Sequence, residues 1–224
     1  MNAADAVTVV VVDDEDLVRE GLAAIIGSNP EFKVVAMAAD GAQAIEAVRR
    51  TSPDVVLMDV RMPGIDGIEA TKRIVASGAS SRVLMLTTME TDETVAAALS
   101  AGATGFLLKS VPREQLWWGI RAAATGDALL APTITRRLIE QYVAGVARPD
   151  APTLSITDRQ RDVVKLVARG ESNAEIAASL FLAEATVKSH ISDVLTRHGL
   201  RDRTQLVVLA YESGLVRPGD VTQG

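Results

Sequence analysis

Four short apolar runs, VTVVVV, VVLM, VLML and GFLL, are each closed by charged or hydroxyl residues: Asp13 and Asp14, Asp59, Thr87, and Lys109. Runs this short that are apolar throughout read as strands covered on both faces, the habit of a parallel sheet. In an open sheet with helices on both sides, ligands bind in the crevice beyond the carboxyl ends of the strands. The four polar ends therefore converge on one site. Three carboxylates, a hydroxyl and an amine are the parts needed to hold a divalent cation and to accept a phosphoryl group.

Each residue also has an ordinary structural reading. Asp-Asp-Glu-Asp after a strand is a good helix start, because acids satisfy free N–H groups and the positive end of the dipole. For Asp13 and Asp14 alone, capping and metal binding stand level. An Asp ahead of a Pro-Gly turn, as at Asp59, is common turn chemistry, and Thr87 by itself says nothing. Lys109 differs: a Lys directly after GFLL needs a partner if it is buried, and a carboxylate cluster supplies one. The four ends taken together, in this order, favour a shared site.

The length of 224 residues suits one large domain or two small ones. Cysteine is absent, which excludes disulfides, thiolate metal sites and a Cys nucleophile. MNAADA has no basic region followed by an apolar core, and no apolar stretch reaches the ~20 residues of a membrane helix, so a cytoplasmic location without membrane contact is expected. Charge is uneven along the chain. Residues 1–125 hold 11 Lys and Arg against 17 Asp and Glu, which is the whole net charge of −6, while 126–224 hold 12 of each. A neutral second half is no strong nucleic-acid footprint.

Strands are expected near 7–12, 33–37, 54–59, 82–86 and 104–108, with helices between and after them. This alternation predicts a doubly wound α/β domain, a flavodoxin-like five-stranded parallel sheet with right-handed crossovers, over 1–125. From Gly126 the pattern changes. ALLAPTITRRLIEQYVAGVA reads as a helix begun near Pro132 and ARPDAPT as a linker, which together span 126–154. Residues 155–224 form a second domain. Up to Val216 it shows three or four short helical patterns and no strand signal: ITDRQRDVVKLVARG, then AEIAASL capped by Asn173, then EATVKSHISDVLTRHG after a tight turn.

Residues 7 to about 125, through VVVVDDED, PDVVLMDVRMPGIDGIEATKRI, VLMLTT and GATGFLLKS, closely resemble the receiver domain of bacterial response regulators. The resemblance implies that Asp59 is the phosphoacceptor and that Asp13 and Asp14 hold Mg2+ with it and with a main-chain carbonyl near Arg61. Thr87 would then bond the phosphoryl group, Lys109 would pair with it, and Phe106 stands at the switch aromatic. The chemistry is coherent. Mg2+ takes hard oxygens, one or two of them carboxylates, a carboxylate nucleophile forms an aspartyl phosphate, and cation and Lys109 cancel the repulsion of an incoming phosphate. Afterwards Thr87 is drawn in and Phe106 can rotate inward. Arg61 and Met89, each two residues past a site residue, either restrict in-line water or only cover the rim; both readings stand. Leu17, Gly21, Ser110 and Pro112 would face a sensor histidine kinase.

The segment from SITDRQRD to YESGLV resembles a LuxR-type helix-turn-helix, and the chain as a whole resembles the NarL/FixJ class of response regulators. The recognition helix is expected from about Glu184 to Arg197, burying Val187, Ile191, Val194 and Leu195. Lys188, Ser189 and Ser192 on the opposite side could read base edges of an operator, and Thr186, His190, Arg201 and Arg203 could contact phosphates; for His190, simple packing is an equal alternative. Ala183 lies where the family often has a capping Ser, and Gln160 and Asp162 where Glu is frequent. A homodimer is expected on phosphorylation, since paired modules match palindromic half-sites. The candidate surfaces are Val207, Val208 and Tyr211, or the receiver helix with Trp117 and Trp118, where Leu116, Ile120 and Ala123 face inward and at least one Trp faces out.

Two rival classes are distinguishable. A haloacid-dehalogenase-type enzyme shares the strand-end Asp, Mg2+, Thr and Lys, but SVPREQLWWG lacks its further acidic pair. A protein-binding or ligand-controlled regulator would lack sequence-specific duplex binding. The expected role is a DNA-binding regulator activated by phosphorylation, and an enzyme only in its own phosphoryl transfer and hydrolysis.

Overall fold

The computed structural model describes residues 6–88, 92–126 and 154–216. The chain divides into two compact units, Met1–Leu129 and Leu130–Gly224. The linker helix expected after Gly126 and Met89 lie outside the described residues.

The first unit alternates strands and helices without exception: β1 (Val7–Val12), α1 (Asp16–Gly27), β2 (Phe32–Ala38), α2 (Gly41–Thr51), β3 (Val55–Asp59), α3 (Gly67–Ala76), β4 (Arg82–Thr87), α4 (Asp92–Ser100), β5 (Gly105–Leu108) and α5 (Arg113–Thr125). All strand pairs are parallel and the sheet order is β2-β1-β3-β4-β5. The order reverses between β1 and β3, so a crevice opens beyond their carboxyl ends. Asp13, Asp14 and Asp59 stand at those ends.

Both faces of the sheet are covered along its central strands. Val9, Val11, Val55, Leu57, Leu84 and Leu86 pack with Leu22 and Ile26 of α1 and Leu116, Ile120 and Ala123 of α5. The alternate residues Val10, Val12, Val56, Met58, Val83 and Met85 are equally buried and point to the other face. Each such side chain contributes roughly 1.5–3 kcal/mol on burial, and the carboxyl-terminal halves of the central strands carry only apolar residues until they end. Asp40 and Asp66 cap α2 and α3, accepting from the N–H of Gln43 and Glu69 at 2.8 Å each.

The second unit has four described helices: α6 (Asp158–Ala168), α7 (Asn173–Leu180), α8 (Glu184–His198) and α9 (Arg203–Glu212). The start of α7 lies one residue earlier than Asn173 suggested. Ser172 is the cap, because it forms a reciprocal capping box with Glu175, and Asn173 is the first helical residue. A second box, Thr157 with Gln160, opens α6. Val163, Val164 and Val167, Ile176, Val187, Ile191 and Val194, and Leu206 and Ala210 close one shared core.

Candidate functional site

The strand ends bring the acidic residues and Lys109 into contact. Asp13 is fully buried and Asp59 is 5% exposed. Lys109 places its Nζ 2.7 Å from Asp13 Oδ2 and 3.2 Å from Asp59 Oδ2. One carboxylate oxygen from each of Asp13, Asp14 and Asp59 lies within 4.8 Å of the others. Thr87, buried, ends β4 next to Leu108 of β5, and its carbonyl accepts from the N–H of Lys109 at 2.8 Å. Sheet register thus sets the backbone of Thr87 against that of Lys109.

The charges are unevenly balanced. Burial pushes the carboxyl of Asp59 above the ordinary range, and the nearby Asp13 adds to this, while Lys109 opposes it. Burial works against the charged form of Lys109, yet the bond to Asp13 and the charges of Asp59 and Asp13 outweigh it and hold the ammonium raised. Three carboxylates facing one ammonium leave an excess of negative charge, and hard oxygen donors at this spacing fit Mg2+. Asp14 is exposed and supplies a carboxylate open to the crevice.

The capping alternative for the acidic pair is not realised, since α1 has Glu15 as its N-cap and no side-chain cap bond. Asp13 Oδ1 accepts from the N–H of Glu15 at 3.1 Å, just ahead of α1, while its other oxygen faces Lys109.

Gly67 was not legible as a site residue. A Cβ there would lie 1.9 Å from the carbonyl oxygen of Asp59, and the Gly67 N–H donates to the carbonyl of Val60 at 3.1 Å. The start of α3 thus leans directly on the strand end that carries Asp59. The only signal was the glycine itself, in GIDG. Arg61 is exposed two residues past Asp59. Phe106 is buried, at 2% exposure. Leu17, offered as a kinase-facing residue, is 84% exposed; Gly21, Ser110 and Pro112 are exposed as well.

In the second unit, α8 runs one residue past the expected Arg197, to His198. Val187, Ile191 and Val194 are buried and Leu195 is half-buried, while Thr186, Lys188, Ser189 and Ser192 are exposed. Three side chains at i, i+1 and i+4 thus form one accessible stripe of a helix whose other side is core. His190 and Arg201 are half-buried. Arg203 is engaged within the domain, donating Nη1 to Asn173 Oδ1 at 2.7 Å and Nη2 to the carbonyl of Glu171, which ties α9 to the start of α7. Ala183 is the N-cap of α8 and makes no side-chain cap bond.

The dimer candidates separate. Val207 and Tyr211 are 4% and 2% exposed inside the helical core, and the Tyr211 hydroxyl donates to the carbonyl of Ala168 at 3.4 Å. They are core residues and cannot serve as an interface, because their own domain covers them; Val208 is half-buried. On α5, Leu116, Ile120 and Ala123 face the sheet, Trp117 donates Nε1 to the carbonyl of Ile25 at 3.1 Å, and Trp118 is 57% exposed. Among the described residues no helix is long and apolar enough to cross a membrane.

With an acid cluster at the switch point of one unit and an exposed recognition helix in the other, the comparisons with known proteins agree on both halves. Residues 9–121 match the response regulator receiver domain family, and 154–210 match the bacterial regulatory proteins of the luxR family. The chain belongs to the two-component response regulators that join a receiver to a LuxR-type DNA-binding domain, and it is a transcriptional regulator of that family. Similar proteins include the transcriptional regulatory protein LnrK of Bacillus subtilis (strain 168), 35% identical over 93% of this chain and 98% of that protein. The DNA-binding transcriptional activator DevR/DosR of Mycobacterium tuberculosis (strain ATCC 25618 / H37Rv) is 35% identical over 95% of this chain and 97% of its own. Among solved structures, the response regulator ChrA of a heme-sensing two-component system is 34% identical, with a TM-score of 0.53 over 95% of this chain and 100% of that one.

Proposed function

We propose that a sensor histidine kinase transfers a phosphoryl group to Asp59, with Mg2+ held by Asp13, Asp14, Asp59 and the main-chain carbonyl of Arg61, and that this modification promotes dimerisation and operator binding. The observation that carries the reading is the convergence of Asp13, Asp14 and Asp59 within 4.8 Å, with Lys109 on two of them. An Asp59 carboxylate oxygen attacks phosphorus, the bond from phosphorus to the donor's imidazole nitrogen breaks, and that nitrogen keeps the electron pair. Mg2+, when bound, supplies the positive charge that lets an anionic phosphoryl group approach a carboxylate. Lys109 offers its ammonium to the phosphoryl oxygens, and the Thr87 hydroxyl donates to one of them once transfer is complete. The residue types suit one transfer and later hydrolysis of the same bond, without a separate substrate. Lys188, Ser189 and Ser192 would meet base edges in the major groove, with Thr186 at the phosphates. A cytoplasmic location follows from these partners.

Intact mass after incubation with a small phosphodonor tests the reading. A gain of one phosphoryl group that requires Mg2+ and disappears in Asp59→Asn is expected. A gain that persists in Asp59→Asn would place the acceptor elsewhere.

A further inference from the structure

Asp13 has a polar neighbour at each of its polar atoms. Its N–H donates to the carbonyl of Ala38 at 3.1 Å, Oδ1 accepts from Glu15 at 3.1 Å and Oδ2 faces Lys109 at 2.7 Å. Its main-chain carbonyl accepts from Arg19 Nη1 at 2.6 Å. Arg19 lies in the first turn of α1 and reaches back over the loop, and its Nη2 pairs with Asp16. The Arg19 side chain is 14% exposed although Asp16 is 83% exposed. The guanidinium is therefore tucked under the loop.

The carbonyl of Asp13 belongs to the peptide group that leads into Asp14. Asp14 is the exposed member of the acid cluster. A bond to that carbonyl restrains the plane of the peptide, and with it the range of directions in which the Asp14 carboxylate can leave the backbone. A guanidinium can serve carbonyl and carboxylate at once because its N–H groups diverge in one plane, whereas an ammonium is a single point.

We propose that Arg19 is a positioning residue of the cation site: it locks the Asp13–Asp14 peptide so that the Asp14 carboxylate stays within reach of Asp59. The proposal rests on the reading of the acid cluster as a Mg2+ site. Arg19 touches neither cation nor phosphoryl group in it, and acts only through the backbone, as outer groups do around metal ligands.

The test is calorimetric titration of Mg2+ into the full chain, without phosphodonor, for the native protein, Arg19→Gln, Arg19→Lys and Asp16→Asn, with circular dichroism and thermal midpoints as fold controls. Arg19→Gln should raise the Mg2+ Kd by about tenfold or more, and Arg19→Lys should restore only part of it. Asp16→Asn removes an exposed ion pair and keeps the carbonyl bond, so its Kd should change less than about twofold. A lowered melting point in both Arg19 variants with an unchanged Kd would overturn the proposal, because Arg19 would then be only a fold residue. A Kd raised as much in Asp16→Asn as in Arg19→Gln would also overturn it, since the ion pair would be the cause. Failure of the native chain to bind Mg2+ would instead remove the cation site itself, and this role with it.

Discussion

Phe181 stands with φ of 54° and ψ of 48° at the end of α7, and its side chain is 96% exposed. A Cβ-bearing residue in the left-handed region costs roughly 1–2 kcal/mol, and Asn is among the few side chains that visit it routinely. Because the ring is exposed, replacing it removes little packing. Phe181→Asn should therefore stabilise the helical unit by about 1 kcal/mol, read as a higher midpoint for that unit in thermal unfolding of the full chain. An unchanged or lower midpoint would show that the ring has a contact of its own. Lys109 illustrates the opposite case. Its need for a carboxylate partner was legible, because a Lys at the end of an apolar strand has to be paired, and two partners are present.

Gly67 joins the first turn of α3 to the end of β3, and the approach of its Cα to the Asp59 carbonyl leaves no room for a methyl group. The obstacle is backbone on both sides, so Gly67→Ala must displace either α3 or the strand end. A loss of about 1–3 kcal/mol in denaturant unfolding is expected, together with slower phosphoryl uptake at Asp59 followed by mass. Native stability and uptake would mean that the two segments can part without consequence. Strands and most helices were legible because short apolar runs and the helical spacing of apolar residues carry their own local signals. The α9 segment RTQLVVLAYE is capped by Asp202 but has no one-sided apolar spacing. Leu206, Val207, Leu209, Ala210 and Tyr211 surround the helix, so its composition does not reveal which face is core. That is why Val207 and Tyr211 resembled interface residues.

The whole chain joins two separate folds, and the regulation proposed above requires that phosphorylation of one change the behaviour of the other. If the proposed activation holds, phosphorylation should raise operator affinity by about fivefold or more, the lower end of ordinary allosteric couplings. Lys188→Ala should weaken sequence-specific binding in both states. Both are measurable by titration of labelled duplex at fixed salt. Equal affinity of the modified and unmodified chain would refute phosphorylation as the control of DNA binding.

The alternation of strand and helix, the polar residue at each strand end, the two-domain division and the exposed stripe Lys188, Ser189 and Ser192 were determined by local pattern, since hydrophobic period and caps act over a few residues. The tertiary structure decided what pattern cannot express. Sheet order placed carboxylate oxygens of Asp13, Asp14 and Asp59 within 4.8 Å of one another with Lys109 on two of them, α3 closed on the carbonyl of Asp59 through Gly67, and Arg19 was turned back onto the carbonyl of Asp13. The last two are meetings with a backbone carbonyl, and every residue carries the same backbone. The sequence holds no mark of which carbonyl a distant side chain will find until the chain has packed.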